Sequence, residues 1–351
     1  HPRLPVAPLL WAEPVVGIRG TMSNDPIFIN TGRSPAGWSF WGPAFSCDQL
    51  WFIKTVLGRE FVNADALTQG TMGHIILGHH YARLGAAQPE GFVFEGKTYT
   101  DPEDFMDPED ALRRWVREIE KENGTDASPF IHNTLTLYRN YRVREPFFAD
   151  RILGVEMLAK LTLGYDKEGN FGLWTDTNLE TPTLLDCPGL EVPHPNVPQL
   201  QHGQPIIVTK RLDLIVRSSR NGQVYIDDHK VTGGSVGPTV AEKYAMDGQF
   251  SVNDWVGRQT WDNYGGVRLN LVQRRDPWSV SKQNVPPAPY RNRNFPRQLF
   301  RKAHHLAEML VGTMSGELTQ ADWEQTQTDL LCYHRFGKCG AFDQCRLGGA
   351  A

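Results

Sequence analysis

A mixed α/β fold, with a central sheet flanked by helices, is what the chain predicts, and three observations predict it. Apolar residues recur at helical spacing between about 46 and 145, the period changes to two from about 151 to 232, and helical spacing returns after about 241. Ser46 to Leu57 and Gly70 to Leu84 carry the first helical pattern. The stretch DPEDFMDPEDALRRWVREIEKENG joins an acidic start to an apolar and basic continuation and a terminal Gly, a helix with its own stop signal, and Pro129 to Tyr141 adds another. ILGVEMLAKLTLGYD, PIIVTKRLDLIVRSS and QVYIDDHKVTG then alternate with β-branched enrichment. Arg220-Asn221-Gly222-Gln223 supplies turn chemistry between the last two, which predicts a hairpin. One helix from about Ala241 to Tyr264, a strand near Val267 to Gln273 and a helix from Phe295 to Met314 complete the series.

The punctuation divides the chain into four parts. Residues 1 to 45, rich in Gly, Pro and Trp, read as an extended wrap, and 46 to 145 as a helical segment placed before the sheet. Residues 146 to 290 read as the sheet core, with a Pro-rich insertion at about 175 to 205, and 291 to 351 as C-terminal helices and a cysteine cluster. From 46 to 351 the chain reads as one domain.

Lys plus Arg is 36 and Asp plus Glu is 40, a net charge of −4, so bulk charge gives no argument for a nucleic-acid partner; local patches must supply one. No run approaches the roughly 20 apolar residues a bilayer needs, and HPRLPVAPLL lacks a basic leader region. The expectation is a soluble, cytoplasmic chain with no membrane contact. Five cysteines, with Cys332, Cys339 and Cys345 gathered at the far end, fit a thiolate metal site better than a disulfide framework.

On the second hairpin strand Val224, Ile226, Asp228 and Lys230 share one face, and Tyr225, Asp227 and His229 the other. That parity makes Asp228 the partner of Lys230. Asp213, on the preceding strand across the turn, approaches the same end of the hairpin. Carboxylates are the hard ligands that Mg²⁺ or Mn²⁺ prefers, and a nearby ammonium stabilises charge that builds up on a phosphate. His74 stands near His79 and His80, but position 78 is Gly, so no i, i+4 pair makes a metal site on the helix alone.

These residues, taken in order, resemble the PD-(D/E)xK nuclease superfamily, in its RecB-like branch that also contains CRISPR-associated exonucleases with an iron–sulfur cluster. The motifs that carry the resemblance are Gly70-Thr71-Met72-Gly73-His74, Arg211-Leu212-Asp213, Asp228-His229-Lys230 and Gln249-Phe250-Ser251-Val252-Asn253. Lys210 stands where that branch commonly has Gly, a change read as altering a turn and no ligand, and Asn253 stands in place of Tyr. The resemblance implies a restriction-endonuclease-like sheet and a metal-dependent deoxyribonuclease, an exonuclease on single-stranded DNA or duplex ends. It implies that His74, Asp213 and Asp228 hold the metal, that Lys230 positions or activates water, and that Gln249 orients Lys230 or the DNA backbone. Glu156, in LGVEMLAKL, resembles an acidic strand position of the same branch and ranks below the others.

Cys47 in AFSCDQLWFI, with Cys332, Cys339 and Cys345, has the layout of branch members in which one N-terminal and three C-terminal cysteines hold a [4Fe-4S] cluster that staples the two ends of the domain. Thiolates also suit Zn²⁺. Cys187 reads as a spare. Two stripes interleave cations and aromatics, the combination that stacks bases while tracking a backbone: Tyr138 to Arg144, with Arg139 and Arg142, and Tyr290 to Lys302, with Arg291 and Arg293. Tyr244 is placed near Gln249 on the same helix. The alternative reading is a catalytically inactive module that binds DNA or a protein partner in a repair, phage or CRISPR-like complex.

Overall fold

The computed structural model describes residues 25–29, 31, 34, 36–59, 64–123, 126, 128–145, 148–234, 236–245, 247–274, 279–323, 333–334 and 337–338. Helix α1 (Trp38–Ser46) and the short α2 (Asp48–Trp51), which runs on into a π-helical turn (Phe52–Val56), precede the long α3 (Ala64–Ala86). A small hairpin, β1 (Phe92–Phe94) and β2 (Lys97–Tyr99), leads to α4 (Pro108–Asn123) and α5 (Ser128–Arg144). Then come β3 (Arg151–Tyr165), β4 (Phe171–Trp174), β5 (Thr181–Pro182), β6 (Ile207–Arg217) and β7 (Val224–Thr232). Helices α6 (Pro238–Ala245) and α7 (Gly248–Thr260), strands β8 (Tyr264–Gln273) and β9 (Val280–Asn284) and helix α8 (Pro289–Ser315) follow, with a last short ladder of β10 (Tyr333–His334) and β11 (Gly337–Lys338).

The mixed sheet runs β4-β3-β6-β7-β8-β9, with β5 beside β3. Every pairing in it is antiparallel except β7 with β8. A parallel pair needs a long crossover, and α6 and α7 provide it. One face of the sheet packs under α3, α4 and α5 through Met72, Ile76, Tyr81, Leu112, Leu137, Leu214 and Val216. The opposite face packs under α1, α7 and α8 through Trp41, Val252, Phe295, Leu299, Ile215 and Ile226.

Several boundaries differ from expectation for identifiable reasons. Residues 38–46 form a helix and not a wrap. Pro43 inside it costs roughly 3 kcal/mol, but Phe40 and Trp41 are both buried, each worth roughly 2–3 kcal/mol, so burial wins. The helix expected over 241–264 is two helices, because the Asp247 carboxylate accepts from the Gln249 amide at 2.9 Å and caps the start of α7. Tyr244 therefore belongs to α6 and not to the helix of Gln249. Helix α8 begins at Pro289, since proline is tolerated in a first turn, so Arg291 and Arg293 are helical. Strand β9 was not anticipated. The Pro-rich insertion is part of the core and not an appendage: Leu185, Leu190, Val197 and Leu200 are buried in it, and the Asn196 side-chain amide donates to the Val56 carbonyl at 2.8 Å.

Glycine lets α3 approach the sheet closely at His74's end. A Cβ on Gly73 would stand 2.4 Å from Val231 Cγ2, whereas one on Gly70 would meet open space. Of the two glycines in the His74 motif, Gly73 is the one the packing requires.

Candidate metal centre

Strands β6 and β7 pair only where Leu214–Arg217 lies against Val224–Asp227, and beyond that they part. Asp213 and Asp228 stand at the fork. The His229 amide, left without a strand partner there, donates to Asp213 Oδ2 at 2.7 Å, which fixes that carboxylate and closes the fork. On the other side of β6, Glu156 of β3 lies opposite Asp213, between the paired residues Val155 and Leu214 and the paired residues Met157 and Leu212. Its φ of +50° is left-handed, a conformation that a long side chain adopts only under constraint. The Arg211 guanidinium holds this irregular backbone by donating to the Glu156 carbonyl at 3.2 Å.

Helix α3 delivers His74 into the fork. Its Nδ1 lies 3.5 Å from Asp213 Oδ2 and 4.0 Å from Glu156 Oε1. One donor atom from each of His74, Glu156 and Asp213 falls within 4.8 Å of the others. Glu156 Oε1 is buried with no hydrogen-bond partner, an expensive condition for a carboxylate. Burial first, and then the Asp213 carboxylate, push the Glu156 carboxyl well above its ordinary range. An imidazole and two carboxylates, one of them with an orphaned buried oxygen, fit a hard divalent cation such as Mg²⁺ or Mn²⁺.

Asp228 stands beside this trio, against the lysines. Lys230 Nζ makes an ion pair with its Oδ1, Lys210 Nζ lies 3.4 Å from its Oδ2, and Gln249 Nε2 donates to Oδ2 at 2.7 Å. Burial opposes ionisation of Asp228, but Lys230 and Lys210 overcome it and hold the carboxyl well below its usual range. Burial likewise opposes the Lys230 charge, and Asp228 and Asp213 raise its ammonium above the ordinary lysine range. Asp228, expected with His74 and Asp213 as a ligand, stands next to them at the fork. Glu156, ranked low as a lone strand acid, joins His74 and Asp213, while Asp228 anchors the lysines. Lys210, read as a turn residue, lies inside β6 opposite Ala159 of β3 and reaches the fork.

The parity reading of β7 holds. Asp227 faces away from Lys230 and takes two hydrogen bonds from Arg268, at 2.6 and 2.8 Å. Behind the fork, the His229 ring stacks on Tyr81 at 5.3 Å and 8°, and its Nδ1 lies 2.9 Å from the Asn270 side-chain nitrogen. Asn270 also donates to the Tyr141 hydroxyl at 3.1 Å, which in turn bonds that of Tyr81. Burial lowers His229 to about 4, so it is a neutral prop for the strand that carries Asp228 and Lys230. His79 and His80 stay out of the centre: His79 Nε2 accepts from the Ile29 amide at 3.0 Å, and His80 Nδ1 meets the Tyr138 hydroxyl at 3.2 Å.

Other expected positions fare unevenly. Asn253 is fully buried and neither atom of its amide has a hydrogen-bond partner, so it faces no DNA. The first basic stripe is corrected. Tyr138 and Tyr141 are buried in the core and offer no stacking platform, and Arg139 is held by the Glu109 carboxylate at 2.9 and 3.1 Å. Arg142 lies over the Tyr138 ring at 5.9 Å. In the second stripe Tyr290 and Arg293 are exposed, and Arg291, half-buried, lies near enough to Asp247 to feel its charge. Tyr244 packs on Phe250, with ring centroids 5.2 Å apart. Cys47 is half-buried at the start of α2, Cys187 is buried in the Pro-rich insertion, and Cys332, Cys339 and Cys345 lie outside the described residues. Among the described residues no helix is long and apolar enough to cross a membrane.

Neither a family model nor a curated protein matches the chain.

Proposed function

We propose that this chain is a metal-dependent DNA nuclease of the RecB-like PD-(D/E)xK kind, hydrolysing phosphodiesters in single strands or at duplex ends. The observation that carries the reading is the convergence of His74, Glu156 and Asp213 with the Asp228–Lys230 pair and Gln249 at the point where β6 and β7 part. His74, Glu156 and Asp213 would hold a divalent ion, which would supply an activated water and offset charge on the phosphate. Lys230, held protonated by its two carboxylate neighbours, presents a fixed positive charge where phosphate charge develops. Gln249 steadies Asp228, and through it Lys230. Arg291 and Arg293, with the exposed Tyr290, supply a path for the strand on the side where α7 begins.

A [4Fe-4S] cluster on Cys47, Cys332, Cys339 and Cys345 is proposed with it, Zn²⁺ being the alternative occupant. Support comes from the contacts that tie the segment after Cys47 to α8 and to Trp323. Asp48, buried next to Cys47, accepts from Lys302 of α8 at 2.8 Å and lies 2.8 Å from His305 Nε2. Trp323 is buried against Trp51 and Phe52, with ring centroids 5.7 and 4.6 Å apart, so the chain returns towards Cys47 shortly before Cys332.

DNA degradation with Mn²⁺ tests the nuclease reading. The wild type is expected to cleave, to stop when a chelator is added, and to lose roughly 10²-fold in rate as Lys230→Ala. Equal rates in the two proteins, or no cleavage of any single- or double-stranded substrate, would reject it. Anaerobically purified protein is expected to show broad visible absorbance that Cys47→Ala diminishes; a colourless, zinc-containing sample would reject the cluster.

A further inference from the structure

We propose that a cavity along α7, away from the metal centre, binds one guanine base and so selects which stretch of a single strand is held for cutting. The inference rests on the nuclease reading above and deepens it by naming a base-binding subsite.

The cavity, of about 420 Å³, lies between α7, the start of β8 and the turn from β9 into α8, a volume suited to one small planar ligand. Asp254 and Arg258 enter it from α7 and Trp261 from just past the helix end, while β8 supplies Tyr264 and Gly266 and α8 supplies Asn292. A Cβ on Gly266, whose φ is +118°, would meet open space, so one wall is bare backbone that a flat ligand can approach closely. Trp261 and Tyr264 offer ring faces against which a base packs. The Tyr264 hydroxyl is buried with no hydrogen-bond partner, the condition of a donor that a ligand satisfies.

The polar groups decide which base. Asp254 Oδ2 accepts from Arg258 Nε and from Asn292 Nδ2, each at 2.7 Å. Both bonds fall on one oxygen, which leaves Oδ1 as an acceptor, and the exposed Arg258 keeps its terminal nitrogens as donors. Guanine alone among the DNA bases sets two adjacent donors, N1–H and N2–H, next to two adjacent acceptors, O6 and N7. The carboxylate takes the donors and the guanidinium takes O6 and N7, the commonest specific pairing of arginine with a base. Thymine brings no amino group to the carboxylate. The cavity also begins where a strand at the centre has to pass. Phe250, at its near end, has Lys230 Nζ 6.0 Å from its ring centroid. Asp254 and Arg258 follow Gln249 on the same helix, roughly 8 and 14 Å along its axis. Asn292 stands between Arg291 and Arg293, so the cavity adjoins the basic segment proposed as the path of the strand. This continuity favours a base within a strand over a free nucleotide.

Equilibrium binding of the full chain to fluorescein-labelled octanucleotides, followed by anisotropy with a chelator present so that nothing is cut, tests this. Oligothymidylate carrying one central dG is expected to bind roughly tenfold more tightly than oligothymidylate alone, and deoxyinosine in the same place, which lacks the N2 amino group, to lose most of that gain. Asp254→Asn and Arg258→Met, both outside the metal centre, are expected to abolish the difference between strands while binding oligothymidylate as the wild type does. Competition separates the two sources of a guanine: displacement by dGMP only far above the concentration of the unlabelled dG strand supports a base held within a strand, whereas dGMP as potent as that strand, with dTMP inert, would overturn strand selection and reassign the cavity to a free nucleotide. Equal affinity of the wild type for all three strands, or a guanine preference that survives both substitutions, would overturn the inference and leave the nuclease reading standing. Failure to bind any strand would overturn it too, and the Mn²⁺ cleavage assay decides the nuclease reading separately.

Discussion

Glu156→Gln is expected to lower Mn²⁺-dependent DNA cleavage by roughly 10³-fold or more while leaving the chain folded, because it removes several kcal/mol of metal-ligand interaction and almost no packing. Glu156 Oε1 is buried without a partner, and the carboxyl is pushed up by burial and by Asp213. In the metal-free centre glutamine resembles the protonated acid, so stability in urea should change by less than about 1 kcal/mol. The pH dependence has a definite sign. A carboxyl whose folded pKa is raised stabilises the metal-free fold below its unfolded value, and loses that contribution as pH rises through the raised folded value. Metal binding needs the ionised form, so Mn²⁺ affinity of the wild type should increase with pH across that range, and Glu156→Gln should flatten the profile. A variant that still cleaves within about tenfold of wild type would remove Glu156 from the centre.

Arg268→Met should destabilise the chain by about 3–5 kcal/mol, measured by urea denaturation at neutral pH, a large share of the total for an ordinary domain. Arg268 makes two hydrogen bonds to Asp227, which is almost completely buried, and one to Asp150 at 3.1 Å. Methionine fills similar space but leaves the Asp227 carboxylate with no cation in contact. Burial raises Asp227 above the usual carboxylate range even with Arg268 in place, and removal of the guanidinium raises it further. Its protonated form is the one the fold prefers, so the deficit should be smallest in acid and grow as pH rises through the raised value. A loss below about 1 kcal/mol at neutral pH would show that water or another side chain compensates the site.

The helices and the hairpin were readable because periodicity records which face of an element is buried, and that record is local. Parity alone separated Asp228 from Asp227 and assigned Lys230 to the former. What alternation does not record is where two strands stop pairing. The fork between β6 and β7 leaves no mark in the pattern, so Lys210 read as a turn residue and Glu156 as an ordinary strand acid. Their burial and the +50° φ at Glu156 are tertiary facts. The first basic stripe failed for the complementary reason: Tyr138 and Tyr141 were counted as exposed partners of the arginines, but on α5 they face the sheet while Arg139 turns outward to Glu109. The helix at Trp38–Ser46 was hidden by Gly42 and Pro43, residues that local rules treat as breakers and that aromatic burial overrides.

The parallel pairing of β7 with β8 bears on the order in which the molecule is finished. A β6–β7 hairpin closes over a short turn and can form early, whereas β8 joins β7 only after α6 and α7 have crossed over the sheet, and such non-local contacts form slowly. Gln249 rides on that crossover, while His74 and Glu156 arrive from elements far upstream. During synthesis His74 and Glu156 therefore emerge ahead of Asp213, Asp228 and Lys230, and Gln249 is the last of these groups to be placed. Under the proposed nuclease reading, full cutting ability awaits the docking of α7, which brings Gln249 to the centre.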